Sequence, residues 1–160
     1  MNLRHWLSLI GCILGCELVG ITSGIATMSS VREWYPSLTK PSFNPPAWIF
    51  GPVWTLLYAM MGIALFLVLR RGWSTPGVRR ATVVFAIQLV LNALWSPAFF
   101  GLRSPLAGLV VIVPLLAMII LTIVLFFRVS RTAGALLVPY VMWVAFATVL
   151  NVALYRLNAV

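Results

Sequence analysis

The chain has 160 residues, 62% of them hydrophobic and 8% charged, with two acidic side chains against eleven Lys and Arg and a formal net charge of +9. Soluble domains run roughly 45–50% apolar and about 25% charged, so one domain of this length cannot hide so much apolar surface in its own core. Lipid must cover the outside. With Glu17 and Glu33 as the only carboxylate side chains, calcium cages, paired-carboxylate hydrolysis and most acid–base catalysis are excluded.

A crossing helix needs roughly 20 apolar residues, because about 1.5 Å of rise per residue must cover about 30 Å of hydrocarbon. Five stretches qualify, at about 6–28, 47–69, 81–100, 106–127 and 133–155. Together they predict an all-α integral membrane bundle, with 1–160 as a single five-helix domain and a connecting loop over 29–46. In the first span Arg4 precedes an apolar run longer than a signal peptide's core, and no A-x-A cleavage site follows, so it reads as a helix of the mature protein. Cys12 and Cys16 lie one turn apart with no second cluster to complete a metal site, and read as reduced, buried fillers. His5, the only histidine, sits at the boundary as an interfacial residue. No metal site and no catalytic set is expected. Glu17, alone within a span, is expected to face the bundle. The pairs Gly11/Gly15 and Gly20/Gly24 suit either a dimer seam or close packing within one chain.

The second span places Phe50, Trp54 and Tyr58 on one helical face. In the third, Gln88, Asn92, Trp95 and Phe99 share a face, and in the fifth Trp143, Ala147, Leu150 and Asn151 do the same. These stripes serve equally as packing between helices or as walls of an apolar pocket for a large flat ligand with a polar edge. Ala147, one turn from Trp143, leaves room that a larger side chain would fill. Pro97, Pro114 and Pro139 are expected to kink the last three spans. The turns at 103–105 and 128–132 are short, so spans three to five are antiparallel neighbours.

Five crossings put the termini on opposite sides. Arg4, Arg70, Arg71, Arg79, Arg80, Arg128 and Arg131 lie on the amino-terminal side, and Arg32, Lys40, Arg103 and Arg156 on the other. The excess predicts a cytoplasmic amino terminus. Arginines at helix ends anchor the bundle in the lipid bilayer and form no continuous stripe for nucleic acid, so no nucleic-acid partner is expected.

The stretch WYPSLTKPSFNPPAW from Trp34 to Trp48 continues as FGPVWTLLY from Phe50 to Tyr58. With QLVLNALWSPAFFG from Gln88 and PYVMWVAFATVLN from Pro139, it resembles the translocator protein family, also called tryptophan-rich sensory proteins or peripheral benzodiazepine receptors. The resemblance covers nearly the whole chain. It implies a five-helix bundle, usually a homodimer, with a pocket closed by the first loop and a setting in a bacterial membrane. It also implies binding of porphyrins such as protoporphyrin IX or haem, as ligands and not obligatory cofactors, and of benzodiazepine-type drugs or sterols in some branches. Carried over by motif, the ligand-binding positions are Trp34, Trp48, Trp54, Asn92, Trp95, Trp143, Ala147 and Leu150. Two departures stand out. Phe43 replaces the loop tryptophan of the family, and Tyr155 and Arg156 are adjacent, so the strict sterol-recognition spacing is absent there.

The function implied is that of a membrane receptor or carrier for tetrapyrroles and similar lipophilic small molecules, in porphyrin sensing or transport. Arg32 and Lys40 in the loop are candidates to meet porphyrin propionates. The alternatives are an enzyme that degrades bound porphyrin in the light, with Trp54 exchanging electrons, and a regulatory scaffold acting through protein partners. No inverted halves of the kind many secondary transporters carry are visible, which ranks binding and sensing above active transport.

Overall fold

The computed structural model describes residues 3–159, and five helical spans account for most of them. Span one is α1 (Leu3–Glu33), span two α2 (Ala47–Leu69). Span three is α3 (Val78–Ser96), prolonged by a π-helical turn over Pro97–Gly101. Span four is α4 (Pro105–Val129). Span five is divided into α5 (Arg131–Leu136) and α6 (Val138–Asn158). A single 3-10 turn, Tyr35–Ser37, interrupts the first loop.

α1 exceeds its expected length at both ends and takes the first residues of the expected loop into the helix, with Arg32 in the last turn where a cation favours the helix dipole. Ser104 opens α4 by accepting a hydrogen bond from the Ala107 N–H at 3.2 Å, and Pro105 follows at a position where a missing N–H is harmless. Gly77, at φ 87°, makes the left-handed turn into α3.

The three prolines act differently from one another. α4 stays continuously helical through Pro114. At Pro139 the break falls two residues earlier, at Leu137, and the proline sits in the first turn of α6, where it costs least. Pro97 has no N–H to give to the Ala93 carbonyl. That carbonyl accepts the Ser23 hydroxyl of α1 instead, at 2.9 Å. The backbone then widens, with Leu102 N–H donating to Pro97 O and Ser104 N–H to Phe99 O, each at 3.0 Å.

α1 runs along α2 and touches α3; α3 packs on α4, and α4 on α6. The central core joins Met61, Ala64 and Val68 of α2 to Ile112, Leu115 and Ile119 of α4, with Phe85 stacked on Phe126 at 5.6 Å. α1 buries Cys16, Thr27 and Ser30 and turns its long apolar side chains outward. Thr27 meets Ser96 of α3 through their hydroxyls at 2.9 Å. Gly11, Gly15 and Gly24 face open space, whereas Gly20 lies against the Tyr58 ring. Glu17 is half-buried and does not enter the core.

Gly62 fixes the approach of α2 to α1, because a Cβ there would lie 2.5 Å from the Ile13 Cα and 2.8 Å from the Cys12 carbonyl oxygen. Backbone cannot yield as a flexible side chain can. Gly62→Ala is therefore expected to lower stability by about 1–3 kcal/mol, read as a lower thermal midpoint in detergent. Gly15→Ala, with nothing of its own chain within 4 Å of the new methyl, is expected to leave the fold of the single chain as stable or slightly more so.

Candidate functional site

α2 and α6 meet mainly through aromatic rings. Phe50 stands edge-on to Trp143 with centroids 5.8 Å apart, and Trp54 meets Tyr140 at 6.4 Å and Tyr58 at 5.5 Å. From α3, Trp95 stacks on Phe99 at 5.4 Å and meets Phe100 at 5.9 Å. The widened turn after Pro97 carries both phenyl rings, and Trp34 and Tyr35 of the first loop pack on them at 5.6 Å each (Trp34 on Phe99, Tyr35 on Phe100). Aromatic pairs at these spacings add roughly 0.5–1.5 kcal/mol each beyond the area they bury.

Below this layer lies a chain of buried hydrogen bonds. The Tyr58 hydroxyl donates to Asn92 Oδ1. Asn92 Nδ2 donates to the Tyr140 hydroxyl at 2.9 Å, and that hydroxyl donates to Gln88 Oε1 at 2.8 Å. Asn92 is thus engaged by its neighbours on both sides. A second amide, Asn151, accepts from Trp95 Nε1 at 3.3 Å and donates to the Pro105 carbonyl at 2.8 Å. Gly108 admits it, since a Cβ there would lie 2.7 Å from Asn151 Oδ1. Two buried donors, Gln88 Nε2 and Trp143 Nε1, have no hydrogen-bond partner among the described residues. Such groups each cost about 1–3 kcal/mol and invite an acceptor.

The eight sequence-derived positions divide unevenly. Trp54, Asn92, Trp95, Trp143, Ala147 and Leu150 lie in the interior shared by α2, α3 and α6, and Trp34 closes its loop end. Trp48 does not join them: it is 75% exposed and turned away from the rings. Tyr140, absent from the sequence-derived set, joins the network from the position three residues before Trp143, on the same helical face. The rings touch one another. A shallow groove of about 360 Å³ lies instead on the outer face of α3, along Val83, Ala86, Ile87, Val90 and Leu91.

The first loop covers the ring layer as a lid with three attachments. Trp34 and Tyr35 hold the Phe99–Phe100 pair, Phe43 meets Phe146 at 6.4 Å, and Thr39 is clasped by Asn158. The clasp is reciprocal: the Thr39 N–H donates to Asn158 Oδ1, and Asn158 Nδ2 donates to the Thr39 carbonyl, both at 2.9 Å. Lys40 folds back onto its own loop. Its Nζ donates to the Pro36 and Leu38 carbonyls at 3.1 Å and lies 4.9 Å from the Tyr35 ring centre. Arg32 remains exposed, and Glu33 pairs with Arg103 at 3.6 Å on the surface, a contact of little energetic weight.

Burial raises the pKa of the Tyr35 phenol, partly offset by its hydrogen bond to Asn44 at 2.8 Å. The neutral phenol is the folded form. Its contribution to loop stability is complete below the ordinary phenol value of about 10 and is lost as pH rises through the raised folded value. Asn158→Ala removes both clasp bonds without disturbing the rings, so amide exchange across residues 36–46 is expected to quicken about tenfold. Hydrogen-exchange mass spectrometry reads this directly, and exchange across α2 is expected to stay unchanged.

Residues 12–156 match the TspO/MBR family. The tryptophan-rich protein TspO of Chlorobaculum tepidum is 51% identical over 97% of this chain and 98% of its own length. The protein of the same description from Archaeoglobus fulgidus is 46% identical over 96% and 98%. The human translocator protein is 37% identical over 93% of this chain and 84% of its own. Similarity of this extent, along five spans and the loop between the first two, makes the chain a member of the TspO/MBR family.

Proposed function

We propose that this integral, multi-pass membrane protein is a receptor or carrier for tetrapyrroles such as protoporphyrin IX, and for similar flat lipophilic ligands, in porphyrin sensing or transport. The observation that carries the reading is the layer between α2 and α6, where rings bridge the two helices and the Trp143 indole N–H is buried without an acceptor. A flat macrocycle entering there replaces ring-on-ring contacts with ring-on-macrocycle contacts and brings an acceptor to Trp143. Trp54, Trp95, Ala147 and Leu150 form the walls, Asn92 the polar floor, and Trp34 the lid contact. Trp48 belongs to the outer surface. At the loop end, Arg32 is free to meet a propionate, while Lys40 must first release its loop carbonyls.

The same reading places the amino terminus in the cytoplasm of a bacterial cell, on the arginine-rich side. It pairs two chains as a homodimer through outward small-residue positions such as Gly11 and Gly15. A second reading, light-driven degradation of the bound porphyrin, is favoured by the adjacent oxidisable rings of Trp54, Tyr58 and Tyr140. Aerobic illumination separates the two readings: turnover faster than for porphyrin on an unrelated carrier supports catalysis, and equal rates support binding alone.

Titration of protoporphyrin IX against intrinsic tryptophan fluorescence tests the site. Trp143→Ala and Ala147→Phe are each expected to weaken binding about tenfold, the first by removing ring area and the second by filling the space beside it. Trp48→Ala is expected to leave the affinity unchanged. Undiminished binding in both interior variants removes the assignment.

A further inference from the structure

The end of the bundle opposite the lid carries seven arginines, six of them in three pairs. Arg70 and Arg71 follow the last turn of α2, Arg79 and Arg80 lie in the first turn of α3, and Arg128 and Arg131 flank the junction of α4 and α5. The fold draws the pairs together. A Cβ on Gly77, just before the second pair, would lie 3.6 Å from the side chain of Val129, within the third pair's segment, and α5 packs against α2. All six are exposed, and none is in an ion pair among the described residues. The chain's two carboxylate side chains are elsewhere, Glu17 inside the first span and Glu33 at the lid end.

Setting orientation requires only an excess of positive charge. It does not require every cation on this face to be arginine, with the one lysine of the chain at the opposite end. Nor does it require cations at the positive end of a helix, where Arg79 and Arg80 oppose the dipole of α3. Gly77 offers no side-chain cap to the α3 N-terminus. Trp73, between the first two pairs, is 62% exposed, the placement of a ring seated among lipid headgroups. Guanidinium forks match phosphate oxygens two at a time, and a lysine ammonium does not.

We propose that this face is a binding surface for the phosphate headgroups of anionic phospholipids, gathered by the three arginine pairs at the junction of α2–α5. Phosphate bound there neutralises the mutual repulsion of the pairs and the unfavourable helix-end charges together. A headgroup with two phosphates spans two pairs and binds more tightly than one with a single phosphate.

The test uses the full-length protein, delipidated in neutral detergent and offered equal amounts of phosphatidylcholine, phosphatidylglycerol and diphosphatidylglycerol, with retained lipid counted by native mass spectrometry. The wild type is expected to retain the anionic lipids over phosphatidylcholine by about tenfold or more, with the two-phosphate lipid first. The variant R79Q/R80Q/R128Q/R131Q is expected to lose the preference, while R32Q/R103Q/R156Q at the lid end keeps it. The corresponding four-lysine variant preserves charge and insertion, and is expected to lose at least about threefold through the missing forks. Full preference in either the glutamine or the lysine variant of the paired arginines overturns the proposal. Displacement of the lipid by an equal concentration of inorganic phosphate overturns it too, by assigning the face to a soluble anion.

Discussion

Hydrocarbon offers no hydrogen bonds, and every exposed amide or hydroxyl within the spans must find its partner inside the chain. This constraint organises the bundle more than apolar packing does, because lipid tails are as apolar as the helices they surround. The polar side chains that cross between helices are few, and they sit where the helices could otherwise slide. Ser23 and Thr27 fix α1 on α3, the Tyr58–Asn92–Tyr140–Gln88 chain fixes α2, α3 and α6, and Asn151 fixes α6 on α3 and α4. A cluster of rings placed above such a frame is held in a defined order and not as a fluid filling.

The same frame makes the two ends of the bundle different in kind. Toward the arginine end, the core joins α2 to α4 through close-packed side chains such as Met61 and Ile119, both fully buried. Toward the lid, helices are bridged by rings whose contacts are exchangeable for those of another flat surface. The loop spans this softer end with three separate attachments, each made of a few atoms. On the proposed function, affinity belongs to the rings and access to the loop.

Much of this was legible in the chain. Five apolar runs gave five spans, and spacing alone put Phe50, Trp54 and Tyr58 on one face and Gln88, Asn92 and Trp95 on another. Trp48 is instructive in the other direction. At about 100° per residue it lies roughly 120° around α2 from Trp54, so the helical wheel sets it apart, although the motif resemblance grouped the two. Tyr140 was visible by the same arithmetic, three residues before Trp143, yet the stripe taken for the fifth span begins at Trp143 and leaves it out. The fate of Lys40 was not legible: its charge says that it wants oxygen, and only the folded loop decides that the oxygen belongs to Pro36 and Leu38. The break at Leu137 was legible in part: Pro139 promises an interruption of span five, and only the fold places it two residues earlier.

The carbonyl of Ala93 ties two distant positions into one. Because Pro97 withholds the bond that an ordinary residue would supply, the hydroxyl of Ser23, seventy-four residues earlier, is the group that satisfies it. Ser23 and Pro97 therefore act on the same acceptor from two distant points of the chain. The energy lost with the Ser23 hydroxyl depends on whether residue 97 can supply an N–H, so the two positions are not energetically independent.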